Sequence, residues 1–247
     1  MIPKIIHYCW LGGKDFPIDV ENCINSWKKN LPDYEFKLWS EKNFDINSNS
    51  WVSEAYKRKK YAFVSDYIRV WALYNYGGIY LDCDVEVIKS FNDLLKYKAF
   101  FGLECTLLPE TAVIASEPNL EWVKVFMDYY NSHDFLDCNG KERSIANNIL
   151  FPKIIEDYFK IDYFSYSFDI ISNDLKIFPS EYFSPLNYLT KQKNITDNTY
   201  TIHKFNNSWA EQKRMNLKSF ILNSLMLVLG KKRFAKIKYK KFVKYFI

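Results

Sequence analysis

Tyr76-Gly77-Gly78-Ile79-Tyr80-Leu81-Asp82-Cys83-Asp84-Val85-Glu86-Val87 is the stretch that decides how this 247-residue chain is read. It is a glycine break feeding an apolar strand that ends on two acids one residue apart. Side chains alternate along a strand, so Asp82 and Asp84 are expected on one face, with Leu81, Cys83 and Val85 on the other. Two carboxylates together on an apolar strand are costly, because burial and mutual repulsion both disfavour their charged forms. A hard divalent cation such as Mg²⁺ or Mn²⁺, shared with phosphate oxygens, would offset that cost. The stretch therefore implies a metal-diphosphate site at a strand end.

The helix before it carries the next signal. Phe63, Tyr67, Val70, Trp71 and Tyr74 form an apolar helical stripe over 62–76, and Gly77-Gly78 stop it. Asp66 and Arg69 share one helical face. By spacing alone they are either a weak surface ion pair or the border of the same pocket. Upstream, Ile2 to Trp10 reads as a buried first strand ending at Leu11-Gly12-Gly13, a layout suited to a nucleotide site at a strand's C-terminal end.

The remaining elements alternate. Helices are expected at 20–30, 51–60, 121–130 and 144–159, the last interrupted by Pro152. Strands are expected at 34–39, 100–104, 111–115 and 200–205, and a loop at 179–187. The fold class is α/β, a mostly parallel central sheet flanked by helices. Hydrophobic residues at 48% and charged residues at 26% are globular values that argue against disorder. The five cysteines show no metal spacing, and Met1-Ile2-Pro3-Lys4 lacks the pattern of a secretory signal, so reduced thiols and a cytoplasmic protein are expected.

The net charge of +5 hides an asymmetry. From Gln212 onward there are 11 Lys/Arg and no acid, so the body before it is net acidic. Two segments follow: a domain over 1–211 and a basic amphipathic tail over 212–247. The apolar run Phe220–Leu229 is too short to span a bilayer. Basic residues interleaved with aromatics after Gly230 suit a helix lying on an anionic membrane, a reading favoured over nucleic-acid binding or a solvated terminus.

Competing chemistries fit poorly. A phosphatase that opens on Asp-x-Asp would want Thr or Val where Glu86 stands, and no Gly-Asp-Gly acid motif follows. An EF-hand loop would need Gly at its sixth position and Glu at its twelfth, which is Asp93. There is no P-loop and no Gly-x-Ser-x-Gly elbow.

Four segments in order, Ile2–Gly13, Ser65–Arg69, Tyr76–Val85 and His203 with Ser208-Trp209, resemble the DXD-motif glycosyltransferases of the capsular-polysaccharide and initiating-mannosyltransferase type. The large glucosylating toxins' catalytic domain is a more distant likeness. The resemblance covers about Ile2 to Trp209. It implies a GT-A fold, a nucleotide-sugar donor (a UDP-hexose by the toxin-like set), Mn²⁺ or Mg²⁺, and retention of configuration. By the same resemblance, Trp10 stacks on the donor base beside Cys9 and His7, and Tyr80 contacts the nucleotide. Asp66 and Arg69 grip the sugar, Asp82 and Asp84 hold the metal, and Ser208 and Trp209 close over the diphosphate. Ser208 is a further metal ligand. His203 is either another metal ligand or a hydrogen-bonded histidine ending a strand. The expected acceptor is a lipid-linked glycan in surface-polysaccharide assembly, reached from the inner face of the cell membrane. The alternative is a nucleotide-sugar-binding protein without transferase activity, or a phosphatase of the Asp-x-Asp type.

Overall fold

The computed structural model describes residues 1–143, 145, 147–160, 170–172, 174–187, 192–205 and 224–243. In chain order the elements are β1 (Ile5–Cys9), α1 (Ile18–Asn30), β2 (Glu35–Trp39), α2 (Ser50–Lys57), α3 (Tyr61–Tyr76), β3 (Gly78–Leu81), β4 (Val85–Val87), β5 (Ala99–Leu103) and β6 (Pro109–Ser116). There follow α4 (Glu121–Ser132), α5 (Asn147–Phe159), β7 (Ile170–Ser172), β8 (Leu175–Phe178), α6 (Ser180–Phe183), β9 (Thr201–His203) and α7 (Lys231–Val243). A seven-stranded sheet runs in the order β2-β1-β3-β6-β5-β8-β7, and β4 pairs with β9 in a small second sheet. β1 is parallel to β2 and β3, and β5 to β8, while β6 and β7 run against the other five. Strand direction is thus mostly parallel, as the alternation of elements implies.

Two apolar layers cover the sheet. One face carries α2–α5 over residues such as Trp51, Ile68, Phe101, Phe126 and Phe151. The other carries α1 over Ile6, Trp27, Ile79, Phe91 and Phe100. Helix α3 lies between the sheet and its helical neighbours. It therefore buries Val64, Ile68, Ala72 and even Arg69, while Phe63, Trp71 and Tyr74 of the expected stripe are only partly covered. Helix α5 runs through Pro152 instead of breaking there, and 180–183 forms a short helix where a loop was expected. All five cysteines are free thiols.

The turn from α3 into β3 needs both glycines. Gly77 has φ +63° and Gly78 φ +100°, and a Cβ at Gly78 would sit 2.6 Å from the Ile5 carbonyl oxygen. His7 locks this turn from β1. It is fully buried; Trp39 Nε1–H donates to its Nδ1 at 3.1 Å, so its Nε2–H donates to the Gly77 carbonyl at 2.8 Å. Both ring nitrogens are engaged by the framework. In the structure His7, expected as a donor-binding residue, orients the turn that leads to the acids.

The basic tail is partly integrated. Helix α7 packs Phe234, Ala235 and Tyr239 inward, with Tyr239 Oη donating to Glu156 of α5 at 2.6 Å. Among the described residues, no helix is long and apolar enough to cross a membrane.

Burial lowers the His7 pKa from 6.5 to about 4. The unfolded chain then binds the extra proton between those values, so stability falls as pH drops from 6.5 toward 4 and is retained above that window. Two-bond ¹H–¹⁵N spectra of the histidine rings should show His7 neutral, with its proton on Nε2, at pH 6. A ring that titrates near 6.5 would refute the lock.

Candidate active site

Strand β3 stops at Leu81, and the acids stand on a turn. Asp82 N donates to the Ala112 carbonyl at 2.9 Å, and Val85 N closes back on the Asp82 carbonyl at 3.0 Å. Cys83 is buried between them, its thiol 3.2 Å from the Cys9 carbonyl. The acids share one side, with Leu81, Cys83 and Val85 buried on the other as expected, but a turn and not a continuous strand places them so. A tight turn around an inward cysteine brings Asp82 and Asp84 together.

Helix α1 holds the next strand. Trp27 Nε1 donates to the Val85 carbonyl at 2.6 Å, Asn30 Nδ2 to the Val87 carbonyl at 2.9 Å, and Ser26 Oγ accepts from Val87 N at 2.9 Å. These bonds occupy one edge of β4, and the other edge takes β9 in antiparallel register, with Val85 opposite His203. Lys204 N donates to the Asp84 carbonyl at 3.0 Å. This ladder sets His203 Nε2 3.3 Å from Asp84 Oδ1. One ligand atom each from Asp82, Asp84 and His203 falls within 4.8 Å of the others. Glu86, beyond the turn, pairs with Lys204 at 3.2 Å and is not one of the three.

Arg69 anchors the other side. Its guanidinium is buried, 3.0 Å from Asp82 Oδ1 and 3.4 Å from Asp66 Oδ1, and it also donates to the Thr111 carbonyl. It lies over the Tyr80 ring at 4.4 Å. Asp66 and Arg69 are therefore not a surface pair. Burial, only partly opposed by Arg69 and reinforced by Asp82, pushes the Asp66 carboxyl up to about 7. Burial likewise raises Asp82, with Arg69 pulling the other way.

Two acids that sequence reading passed over complete the cluster. Glu110, at the start of β6, places Oε2 3.2 Å from His203 Nδ1 while its Oε1 accepts from Ala112 N at 2.9 Å. Burial works to raise its pKa, but His203 and these hydrogen bonds hold it below the usual carboxylate value. Glu104, at the end of β5, is pushed up to about 7 by burial and by Glu110, and Thr106 Oγ1 donates to it at 3.2 Å. The available signal was an acid next to an apolar run at each position, after Ala99–Leu103 and before 112–115. Burial opposes charge on His203, but Glu110 and Asp84 outweigh it and raise its pKa well above 6.5.

The base-side residues stand at the end of β1. Cys9 is buried and its thiol is pushed up to about 12 by burial. Trp10 is half-buried against Phe16, with Nε1 donating to the Lys14 carbonyl at 2.6 Å. Tyr80 is buried as the platform beneath Arg69. Ser208 and Trp209 lie outside the described residues. The parallel strands β1 and β3 end on this side of the sheet, and the antiparallel β6 begins there, so donor-side and acid residues share one edge.

Residues 17–101 match the family described as a glycosyltransferase sugar-binding region containing a DXD motif. Over 249 aligned residues the chain is 30% identical to an uncharacterized glycosyltransferase of Acanthamoeba polyphaga mimivirus, covering 93% of this chain and 92% of that protein. The chain belongs to this family of DXD-motif glycosyltransferases. It is also 35% identical over 106 residues to inositol phosphoceramide mannosyltransferase 3 of Schizosaccharomyces pombe, covering 40% of this chain and 29% of that protein. With the mannosyl phosphorylinositol ceramide synthase SUR1 of Saccharomyces cerevisiae it shares 28% identity over 129 residues, 48% of this chain and 32% of that protein. The chain thus spans about a third of the length of these fungal relatives. The solved structure of the PaToxG glycosyltransferase aligns with a TM-score of 0.46 at 18% identity, covering 63% of this chain and 68% of its own.

Removing the guanidinium leaves Asp66 and Asp82 crowded without their shared cation. Arg69→Ala should destabilise the fold by about 3–5 kcal/mol in urea titrations at pH 7.5. A loss below about 1 kcal/mol would show that the pair behaves like an exposed one.

Proposed function

We propose that this chain is a metal-dependent, retaining hexosyltransferase that moves a sugar from a nucleotide-sugar donor to a hydroxyl of a lipid-anchored acceptor. The observation that carries this reading is the convergence of Asp82, Asp84 and His203 within 4.8 Å, beside the buried Arg69 and its partly buried partner Asp66. Two carboxylates and an imidazole are a donor set that suits Mn²⁺, with Mg²⁺ as the harder alternative. These three residues would hold the cation, with Ser208 as a further candidate. Once bound, it would offset the charge gathering on the departing diphosphate.

The chain's own groups do the rest. Asp66 and Arg69 fix the donor sugar's hydroxyls; Arg69 is buried over the Tyr80 ring and paired with Asp66, so the geometry exists before the donor arrives. Trp10, beside the backbone of Cys9, offers an aromatic surface for the base, and Trp209, outside the described residues, is the candidate to cover the diphosphate. The acceptor hydroxyl attacks the anomeric carbon from the face the diphosphate leaves. The bond from that carbon to the phosphate oxygen breaks, the new glycosidic bond forms, and the acceptor proton passes to the departing phosphate.

The fungal relatives' names favour mannose over the UDP-hexose suggested by the toxin-like residues, and a phosphoinositol-type lipid headgroup over a capsular glycan. The tail supports a site of action at a membrane. Helix α7 turns Phe234, Ala235 and Tyr239 inward and leaves Lys231, Lys232, Arg233, Ile237, Lys240 and Lys241 exposed. The helical residues 224–229 expose Leu227 and Val228. A cationic face flanked by exposed aliphatics complements an anionic lipid surface better than a nucleic acid. Peripheral association with the cytoplasmic face of a membrane completes the reading, consistent with five free thiols.

Nucleotide release from GDP-mannose and from UDP-hexoses, measured with and without Mn²⁺, tests the activity. Release should require the metal, and Asp84→Ala should lower it by at least about 100-fold with circular dichroism unchanged. Release that survives chelation, or a variant with near-normal turnover, would overturn the proposal.

The membrane reading has its own test. Deleting the tail would strip Phe234 and Tyr239 from the core, so charge reversal is the cleaner probe. Lys231→Glu, Lys232→Glu and Arg233→Glu together should weaken binding to phosphatidylserine vesicles by tenfold or more, at about 1 kcal/mol per cation, with melting temperature unchanged. Equal binding by wild type and variant would remove the tail from membrane attachment.

A further inference from the structure

We propose that Glu110 is a positioning residue for the metal centre, fixing the tautomer and aim of His203; this rests on the metal-site reading above. The geometry is specific. Glu110 is 2% exposed, and its carboxylate is pinned from behind where Oε1 accepts from Ala112 N at 2.9 Å. Its other oxygen, Oε2, lies 3.2 Å from His203 Nδ1. A carboxylate only accepts, so Nδ1 must carry the proton of that bond. In a neutral ring the lone pair then sits on Nε2, and Nε2 is the nitrogen that faces Asp84, 3.3 Å from Oδ1. Without Glu110 the ring is free to rotate or to place its proton on Nε2, and either change removes the lone pair from the cluster.

The backbone supports the same assignment. β6 supplies Glu110 and pairs with β3, which leads into the acids, while β9 supplies His203 and pairs with β4, which leaves them. The carboxylate and the imidazole therefore reach the site on different ladders and meet at this hydrogen bond. Carboxylate–histidine pairs of this kind set ligand orientation and basicity at metal sites, and losing the outer partner weakens metal binding by about 10–100-fold. Asp82 and Asp84 would still hold the ion in that case, so a graded loss is expected and not an all-or-none one.

The test is Mn²⁺ binding to the full chain, read by the electron paramagnetic resonance of free Mn²⁺. Glu110→Ala should weaken it by about 10–100-fold, and His203→Ala by a similar factor. In the His203→Ala background, adding Glu110→Ala should change it by less than about twofold, because the carboxylate acts through the ring. Wild-type-like affinity in Glu110→Ala, or an equal further loss in the His203→Ala background, would overturn the inference. If Asp84→Ala also binds Mn²⁺ like wild type, the metal site itself fails; if only the Glu110 arm is unaffected, the site stands and the positioning role falls. Should Glu110→Ala not fold, ring spectra of the wild-type chain loaded with Zn²⁺ decide the matter. A proton on His203 Nδ1 supports the assignment, and a proton on Nε2 overturns it.

Discussion

Crowding of like charge is the constraint on which this structure depends. Asp66, Asp82, Asp84, Glu104 and Glu110 come together where the hydrophobic layers of an α/β sandwich meet the end of its sheet. A set of buried carboxylates is unfavourable in the absence of cations and donors. The fold meets part of that cost with Arg69, whose guanidinium is shared between Asp66 and Asp82, and with His203 between Asp84 and Glu110. The remainder shows in the raised pKa values of Asp66 and Glu104, both pushed up to about 7. Such stored electrostatic tension is more consistent with a binding site than with a framework, since apolar residues of similar size would pack there at lower cost.

The backbone is arranged to deliver these groups. Gly77-Gly78 reverses the chain from α3 into β3, and His7, bound to Trp39 and Gly77, keeps that reversal in one conformation. Helix α1 then satisfies one edge of β4 with Trp27, Ser26 and Asn30, leaving the other edge to accept β9. That pairing carries His203 across the sequence to Asp84. Every step is a hydrogen bond whose loss would leave a buried polar group unpaired, so the site's geometry is tied to the stability of its surroundings.

Much of this was legible locally. The helix–glycine–strand–acid order marks α3, β3 and Asp82/Asp84, because helical period, a glycine stop and an apolar run are all short-range signals. The pairing of Asp66 with Arg69 was visible as spacing, though spacing could not tell a buried pair from an exposed one. The rest depended on distant contacts. That Asp82 and Asp84 meet through a turn closed on Val85 follows from where β6 docks, and one stretch of sequence does not show that docking. Glu110 stands just before the expected strand 111–115 and carries no specific signal until β9 brings His203 beside it. A histidine on a first strand near a nucleotide edge suits either role, and it takes the positions of Trp39 and Gly77 to show that both nitrogens of His7 are engaged.

The C-terminal helix shows how packing reassigns an amphipathic pattern. Read alone, Lys231–Val243 is a basic helix with an apolar stripe available for a bilayer. In the fold, Phe234, Ala235 and Tyr239 spend that stripe on α5, and Glu156 holds the Tyr239 hydroxyl. What remains outward is chiefly charge, joined by Ile237 and by Leu227 and Val228 on the residues before it. A helix in this state meets an anionic surface as a cationic face with a few aliphatic contacts, so its attraction should be screened by salt far more strongly than that of a helix buried by its apolar side. Because α7 is fixed to α5, any lipid surface it meets is met by the whole folded body at one orientation. A helix tethered only by its N-terminus would impose no such orientation, and that difference gives the buried tyrosine a consequence beyond packing.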